Sequence, residues 1–198
     1  MRPHDVMSPP TLGPGRLAEL ATRLAGELQR GGGPPGRPPG AWQVPLLLAA
    51  DIEAWLLGWP AGFVTPAHDH GGSTVAVTVL EGALTEECLD PTIWPTCRRT
   101  TWRAGSTTVF PLGHVHVLGA AGDRPAVAVH AYTPRWEGRS AGGAAAFRLG
   151  GGSAGGGRLA VAAGGDAAAL LAGGRAGQVQ QLADGVLDAG HVGDRVPG

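Results

Sequence analysis

The sequence predicts an all-β domain: an antiparallel barrel, preceded by one short helix and followed by a low-complexity tail. Three observations carry that expectation. Between residues 41 and 138, short apolar runs alternate with turn residues at the spacing of sandwiches and barrels. No helical run separates them, which argues against a parallel α/β sheet. Beyond Gly138 the composition collapses into Gly, Ala and Arg, with too few large apolar residues to offset the entropy of ordering.

In chain order, residues 1–15 hold scattered prolines without a pattern and are expected to be mobile. Leu17, Leu20, Ala21, Leu24, Ala25 and Leu28 then recur at helical spacing, with Glu19, Arg23, Glu27 and Arg30 on the other face. That pattern predicts an amphipathic helix from Arg16 to about Gln29, stopped by Gly31-Gly32-Gly33. The stretch from Pro34 to Gly40 is a Pro/Gly linker, which completes an N-terminal unit of residues 1–40. Strand candidates follow at Ala54–Trp59, Thr74–Leu80, Ala83–Cys88, Thr107–Phe110, His114–Leu118 and Ala126–Tyr132. Residues 139–198 are expected to be largely disordered, with short helices available at Asp166–Ala172 and Gln178–Asp188. Trp55 and Trp59 share a strand face and are expected in the core; Trp42, Trp94, Trp102 and Trp136 flank loops and are expected to cap the barrel ends.

A chain of 198 residues has room for one domain with a proper core. Its net charge of −1 lacks the basic stripe of a nucleic-acid partner. Apolar runs such as Leu46 to Ala50 are too short for a bilayer, and no signal-peptide core follows Met1. A soluble, cytoplasmic protein is the expectation. Cys88 and Cys97 have the spacing to face each other across a hairpin; two unpaired thiols in a reducing compartment is the simpler reading.

The chemistry concentrates in histidines. His68-Asp69-His70 places two imidazoles on one face if the segment is a strand, with Asp69 pointing away. Gly62 stands six residues before His68, and Gly82 twelve after His70. Downstream, Gly105, Pro111, Gly113 and His116 follow at fixed intervals. These intervals resemble the two motifs of the cupin superfamily, G-x5-H-x-H-x3–4-E-x6-G and G-x5-P-x-G-x2-H-x3-N. Val75 stands where the first carries glutamate, and Ala120 where the second carries asparagine. The fold so implied is a jelly-roll-like cupin barrel. Without the glutamate, three neutral donors remain, His68, His70 and His116. Imidazole suits Fe, Zn, Cu and Ni alike, so the set alone does not choose the metal. A neutral ligand set favours an anionic substrate such as a thiolate. His114 competes for the third place; the motif interval favours His116 and leaves His114 as a solvated histidine at the barrel rim.

At Glu53 to Gly62, His68 to Ser73, Leu80 to Glu86, Gly113 to His116 and Pro125 to Pro134, the chain resembles the cysteine dioxygenase family. The resemblance covers residues 42–134. It implies Fe(II) on His68, His70 and His116, and O2-dependent conversion of a small thiol to its sulfinate. It also implies that His130 orients Tyr132, whose hydroxyl lies near the reacting atoms. Ala128 replaces a family serine, and Val75 stands where mammalian members carry the cysteine linked to the tyrosine, so no thioether forms there. The family's carboxylate-binding arginine is missing from Trp42-Gln43-Val44-Pro45, where Gln43 is the nearest polar group. Two other readings stay open: a noncatalytic cupin that binds a small molecule or metal, and a three-histidine zinc site that activates water.

Overall fold

The computed structural model describes residues 12–33, 40–90 and 93–135, together with the backbone of a two-residue strand at 162–163. The expectations for residues 1–11, for the linker at 34–39, for the side chain of Trp94, for Trp136, and for the two helices of the tail lie outside what is described.

The predicted helix exists as α1, Pro14–Arg30, two residues longer at its start and one at its end. Proline at its first turn needs no hydrogen-bonded N–H there, and Gly31 closes the other end. All six apolar residues of its stripe are buried.

Among the described residues nine strands follow: β1 Trp42–Leu48, β2 Glu53–Trp59, β3 Thr74–Glu81, β4 Ala83–Asp90, β5 Ile93–Arg103, β6 Thr107–Phe110, β7 His116–Ala120, β8 Ala126–Thr133 and β9 Ala162–Ala163. They form a larger sheet, β6-β3-β8-β2-β1-β9, and a smaller one, β5-β4-β7. Every pairing among β1 to β8 is antiparallel; β9 runs parallel to β1. The fold is the expected all-β barrel with a short N-terminal helix. Two strands were not foreseen, β1 and β5. In β1, Pro45 removes a backbone donor and the register shifts between Pro45 and Leu47, which hides the period of two.

The larger sheet is buried on both faces. Its outward face meets α1 in a cluster with Trp42, Val44, Ala54, Leu56, Ala76 and Val129. Its inward face contributes Trp55, Leu57, Trp59, Val75, Val77 and Tyr132 to a second cluster, with Leu84 and Leu118 of the smaller sheet. Trp55 and Trp59 thus sit in the core as expected. Trp42 does not cap an end: its indole lies flat over Gly58, where a Cβ would come within 2.1 Å of Trp42 Cε2. Only glycine opposite Trp42 admits that ring. The chain passes from the larger sheet to the smaller at Gly82, where φ is +67° and a Cβ would come within 2.3 Å of the Pro125 carbonyl oxygen. Both constraints select glycine, which explains the motif position. In the β4–β5 hairpin, the backbone register sets Cys88 opposite Arg98 rather than Cys97.

Candidate metal centre

His68 and His70 do not lie in a strand, so the alternation of a strand is not what brings their rings together. They belong to the loop from β2 to β3, held by two devices. His68 forms an isolated antiparallel bridge with His116, with N···O distances of 3.0 and 2.9 Å. Asp69 turns back to accept a hydrogen bond from the Gly71 N–H at 2.9 Å, and the Ser73 N–H bonds the His70 carbonyl. His116 opens β7, pinned against β4 opposite Cys88. Two loop histidines and one strand histidine therefore meet at the end of the barrel, between the two sheets.

The three rings form a near-equilateral triangle. Centroid separations are 5.2 Å for His68–His70, 4.8 Å for His68–His116 and 5.1 Å for His70–His116. One ring nitrogen from each lies within 4.8 Å of the others. All three residues are buried. Burial lowers each pKa: His68 to about 3, helped by the neighbouring His116, and His70 well below its ordinary value, helped by His68 and His116. In His116 burial outweighs the opposing pull of Glu86. The rings are therefore neutral at ordinary pH, the form that donates a lone pair to a metal.

The tautomer of His68 follows from its partner. Its Nδ1 lies 2.9 Å from the Pro66 carbonyl oxygen, which can only accept, so Nδ1 carries the proton and Nε2 carries the lone pair. His116 is wholly buried, and neither of its ring nitrogens makes a hydrogen bond. A buried imidazole nitrogen without a partner is costly unless something else takes its lone pair. The donor set thus fits a divalent transition metal such as Fe(II).

Beside this triangle stands Tyr132 on β8. Its ring centroid is 5.8 Å from that of His70, and its hydroxyl oxygen is 3.5 Å from His130 Nδ1. The two residues share the inward face of β8, and both are buried. Val75 lies directly across from Tyr132 on β3, and Ala128 lies opposite Leu57 and Val79. Gln43 is 1 % exposed and pairs with Leu57, so its side chain shares the barrel-facing row of Ala128, two same-face steps along β8 from Tyr132.

His114 departs from its expected place. It is not a solvated rim histidine: its Nε2 lies 2.5 Å from Glu86 Oε1, and its ring stacks on Phe110 at 5.2 Å. Glu86, on the inward face of β4, is a residue the motif spacing did not single out. Its second oxygen accepts from Trp102 Nε1 at 3.3 Å, and its first lies 3.5 Å from His116 Nδ1. Burial alone would raise the Glu86 carboxyl, but the hydrogen bonds from His114 and Trp102, with His116 close by, outweigh it and hold it at about 2. The signal available in the sequence was positional: Glu86 shares a face with buried Leu84, two residues before it.

A family model described as cysteine dioxygenase type I matches residues 48–141. No curated protein matches the sequence. Among solved structures, KdgF from Halomonas sp. aligns with a TM-score of 0.42 at 19 % identity, over 51 % of this chain and 86 % of its own. A conserved protein with a double-stranded β-helix domain from Klebsiella pneumoniae aligns with a TM-score of 0.44 at 19 % identity, over 59 % and 89 %. The cupin domain of Schizosaccharomyces pombe Cnp3 aligns with a TM-score of 0.41 at 12 % identity, over 47 % of this chain and 64 % of that one.

Proposed function

We propose, from the match of a cysteine dioxygenase type I family model to residues 48–141, that this chain is a member of that family and a non-haem iron thiol dioxygenase acting on a small carboxylated thiol, cysteine or a relative. The observation that carries the proposal is the triangle of buried, neutral imidazoles from His68, His70 and His116, with the Tyr132 hydroxyl beside it. These three residues would hold Fe(II), which when bound supplies the Lewis acidity and redox chemistry that oxidation of a thiol by O2 requires. Both oxygen atoms of O2 would enter the product, taking RS⁻ to RSO2⁻.

The remaining work falls to the chain's own groups. The imidazoles bring no charge, so the site favours an anionic thiolate. The inward face of the larger sheet, with Trp55, Leu57, Trp59 and Val75, excludes water and strengthens every polar contact within the barrel. His130 Nδ1, 3.5 Å from the Tyr132 hydroxyl, would orient it to donate to negative charge developing on the substrate. Gln43 would donate its amide N–H to a substrate carboxylate, without the charge or fork of an arginine, so discrimination among carboxylated thiols should be loose. The supporting fact is its burial on the barrel-facing row. No helix among the described residues is long and apolar enough to cross a membrane.

The test is oxygen uptake after anaerobic loading with Fe(II), using cysteine, 3-mercaptopropionate and cysteamine, with sulfinate quantified against O2 consumed. One sulfinate per O2 with a carboxylated thiol is the expected result. Tyr132→Phe should retain iron and lose at least about tenfold in turnover, the lower range for a positioned proton donor. Iron-loaded protein that consumes no O2 with any of the three thiols returns the noncatalytic reading. A strong preference for cysteamine removes the carboxylate clamp.

A further inference from the structure

The carboxylate that the first motif loses at Val75 has a counterpart on the opposite sheet. Val75 is fully buried and faces Tyr132, so the larger sheet offers the centre no anion there. Glu86, from β4, brings one to within 3.5 Å of His116 Nδ1. Both of its oxygens are tied: Oε1 to His114 Nε2 at 2.5 Å, and Oε2 to Trp102 Nε1 at 3.3 Å. The carboxylate is thereby fixed and cannot swing freely. His114 is held in turn by stacking on Phe110, with rings 5° from parallel. Neither ring nitrogen of His116 makes a hydrogen bond in this geometry; Nδ1 is the one that faces Glu86, and Nε2 lies on the far side of the ring.

We propose that Glu86 is the positioning residue of this centre: its carboxylate, clasped by His114 and Trp102, holds His116 as the Nδ1–H tautomer with Nε2 aimed at the metal. This rests on the three-histidine reading given above. The physical reason is that an ionised carboxylate accepts and never donates, so a ring nitrogen facing it carries the proton. A histidine whose other nitrogen donates to a carboxylate is a more basic ligand with a set ring orientation. His114 then serves as an anchor of that carboxylate rather than as a ligand. The same atoms admit a rival, since Glu86, His114 and His116 also offer donors within 4.8 Å of one another. The short His114–Glu86 hydrogen bond already accounts for that closeness.

The experiment uses the full chain. In metal-free protein labelled with 15N, long-range proton–nitrogen correlation spectra report the tautomer of each histidine; Fe(II) affinity is measured separately under anaerobic conditions against a competing chelator. The parent should show His116 protonated at Nδ1, with a downfield proton. Glu86→Ala should lose that tautomeric preference and weaken Fe(II) binding about 10–100-fold. Glu86→Gln keeps an accepting oxygen: it should keep the tautomer, move the Nδ1–H resonance upfield, and weaken binding less than the alanine variant. If the alanine variant does not fold, that upfield shift in Glu86→Gln decides alone. An unchanged tautomer in Glu86→Ala, or an unmoved resonance in Glu86→Gln, overturns the proposal. Complete and equal loss of Fe(II) in both variants, matching His116→Ala, makes Glu86 a ligand and overturns it as well. The tautomer is read without metal or thiol, so failure to oxidise thiols leaves this result standing.

Discussion

The larger sheet of the barrel has protein against both faces, whereas the smaller has it against one. β2 and β8 are buried along their whole lengths, because α1 covers the outside and the barrel core the inside. In β4, by contrast, Leu84 and Glu86 are buried while Thr85 and Glu87 between and beyond them are half-buried. Its outward neighbours Arg99 and Thr101 are exposed, with Arg99 paired to Glu87. The division is also one of labour. The larger sheet supplies apolar walls, Tyr132 and His130; the smaller supplies His116 and Glu86, and the loop from β2 to β3 supplies His68 and His70. A strand buried on two faces has no room for charge without a partner, whereas an alternating strand can turn one carboxylate inward and leave the next in water.

If the smaller sheet carries the metal-binding chemistry, the largest effect should come from its first inward residue. His116→Ala should abolish retention of Fe(II) and with it all thiol-dependent oxygen uptake, because two neutral imidazoles hold a labile ion poorly against water. His114→Ala should keep most of the iron, since His114 acts through Glu86. Iron content of the two purified variants decides between them. Loss of iron from the His114 variant alone would move the third ligand by two residues and undo the register on which the centre is built.

The comparison also explains which parts of the molecule could be read from the chain. Continuous apolar runs marked β2 and β8 to within one residue at each end, because a doubly covered strand admits little else. His68, His70 and His116 were legible as a group through the intervals of Gly62, Gly82, Gly105 and Gly113, which stand at positive φ where other residues fit poorly, and of Pro111. β5 was missed because its later part, Arg98-Arg99-Thr100-Thr101, reads as a loop; those residues lie on a sheet whose outer face is open. β7 begins two residues later than expected because the His114 N–H bonds the Pro111 carbonyl in a turn. Glu86 was illegible as part of the site. Thr85-Glu86-Glu87 looks like a solvated edge until pairing with β7 brings Glu86 beside His114 and His116, far away along the chain.

Away from the metal, the double coverage of the larger sheet should show in stability. Leu56 points to the α1 side, fully buried in the helix-facing cluster. Leu56→Ala should cost about 2–5 kcal/mol, the range for a leucine truncated in a packed core. Urea unfolding followed by circular dichroism measures it. A cost under about 1 kcal/mol would mean that α1 does not hold the outside of this sheet, and that its second face is as open as that of β4.

The matched position on the smaller sheet should respond least. Thr85 faces outward from β4, opposite Thr101 on one side and Gly119 on the other. It lines an open groove with Val64, Arg99, Val117 and Ala121. Thr85→Val keeps the volume and the β-branch that suits a central strand, so strand propensity is nearly constant and only the hydroxyl is lost. At a water-facing site that loss should change stability by no more than about 0.5 kcal/mol. Against a covering layer the exchange would not be neutral. A hydroxyl bonded to that layer would leave its partner unsatisfied when removed, and a hydroxyl merely buried there would be a burden relieved by valine. The same urea titration therefore tests the open face from either side. A shift beyond about 1 kcal/mol, of either sign, would show that protein covers the smaller sheet too, and the contrast between one-faced and two-faced burial would no longer explain why the inward carboxylate sits on β4.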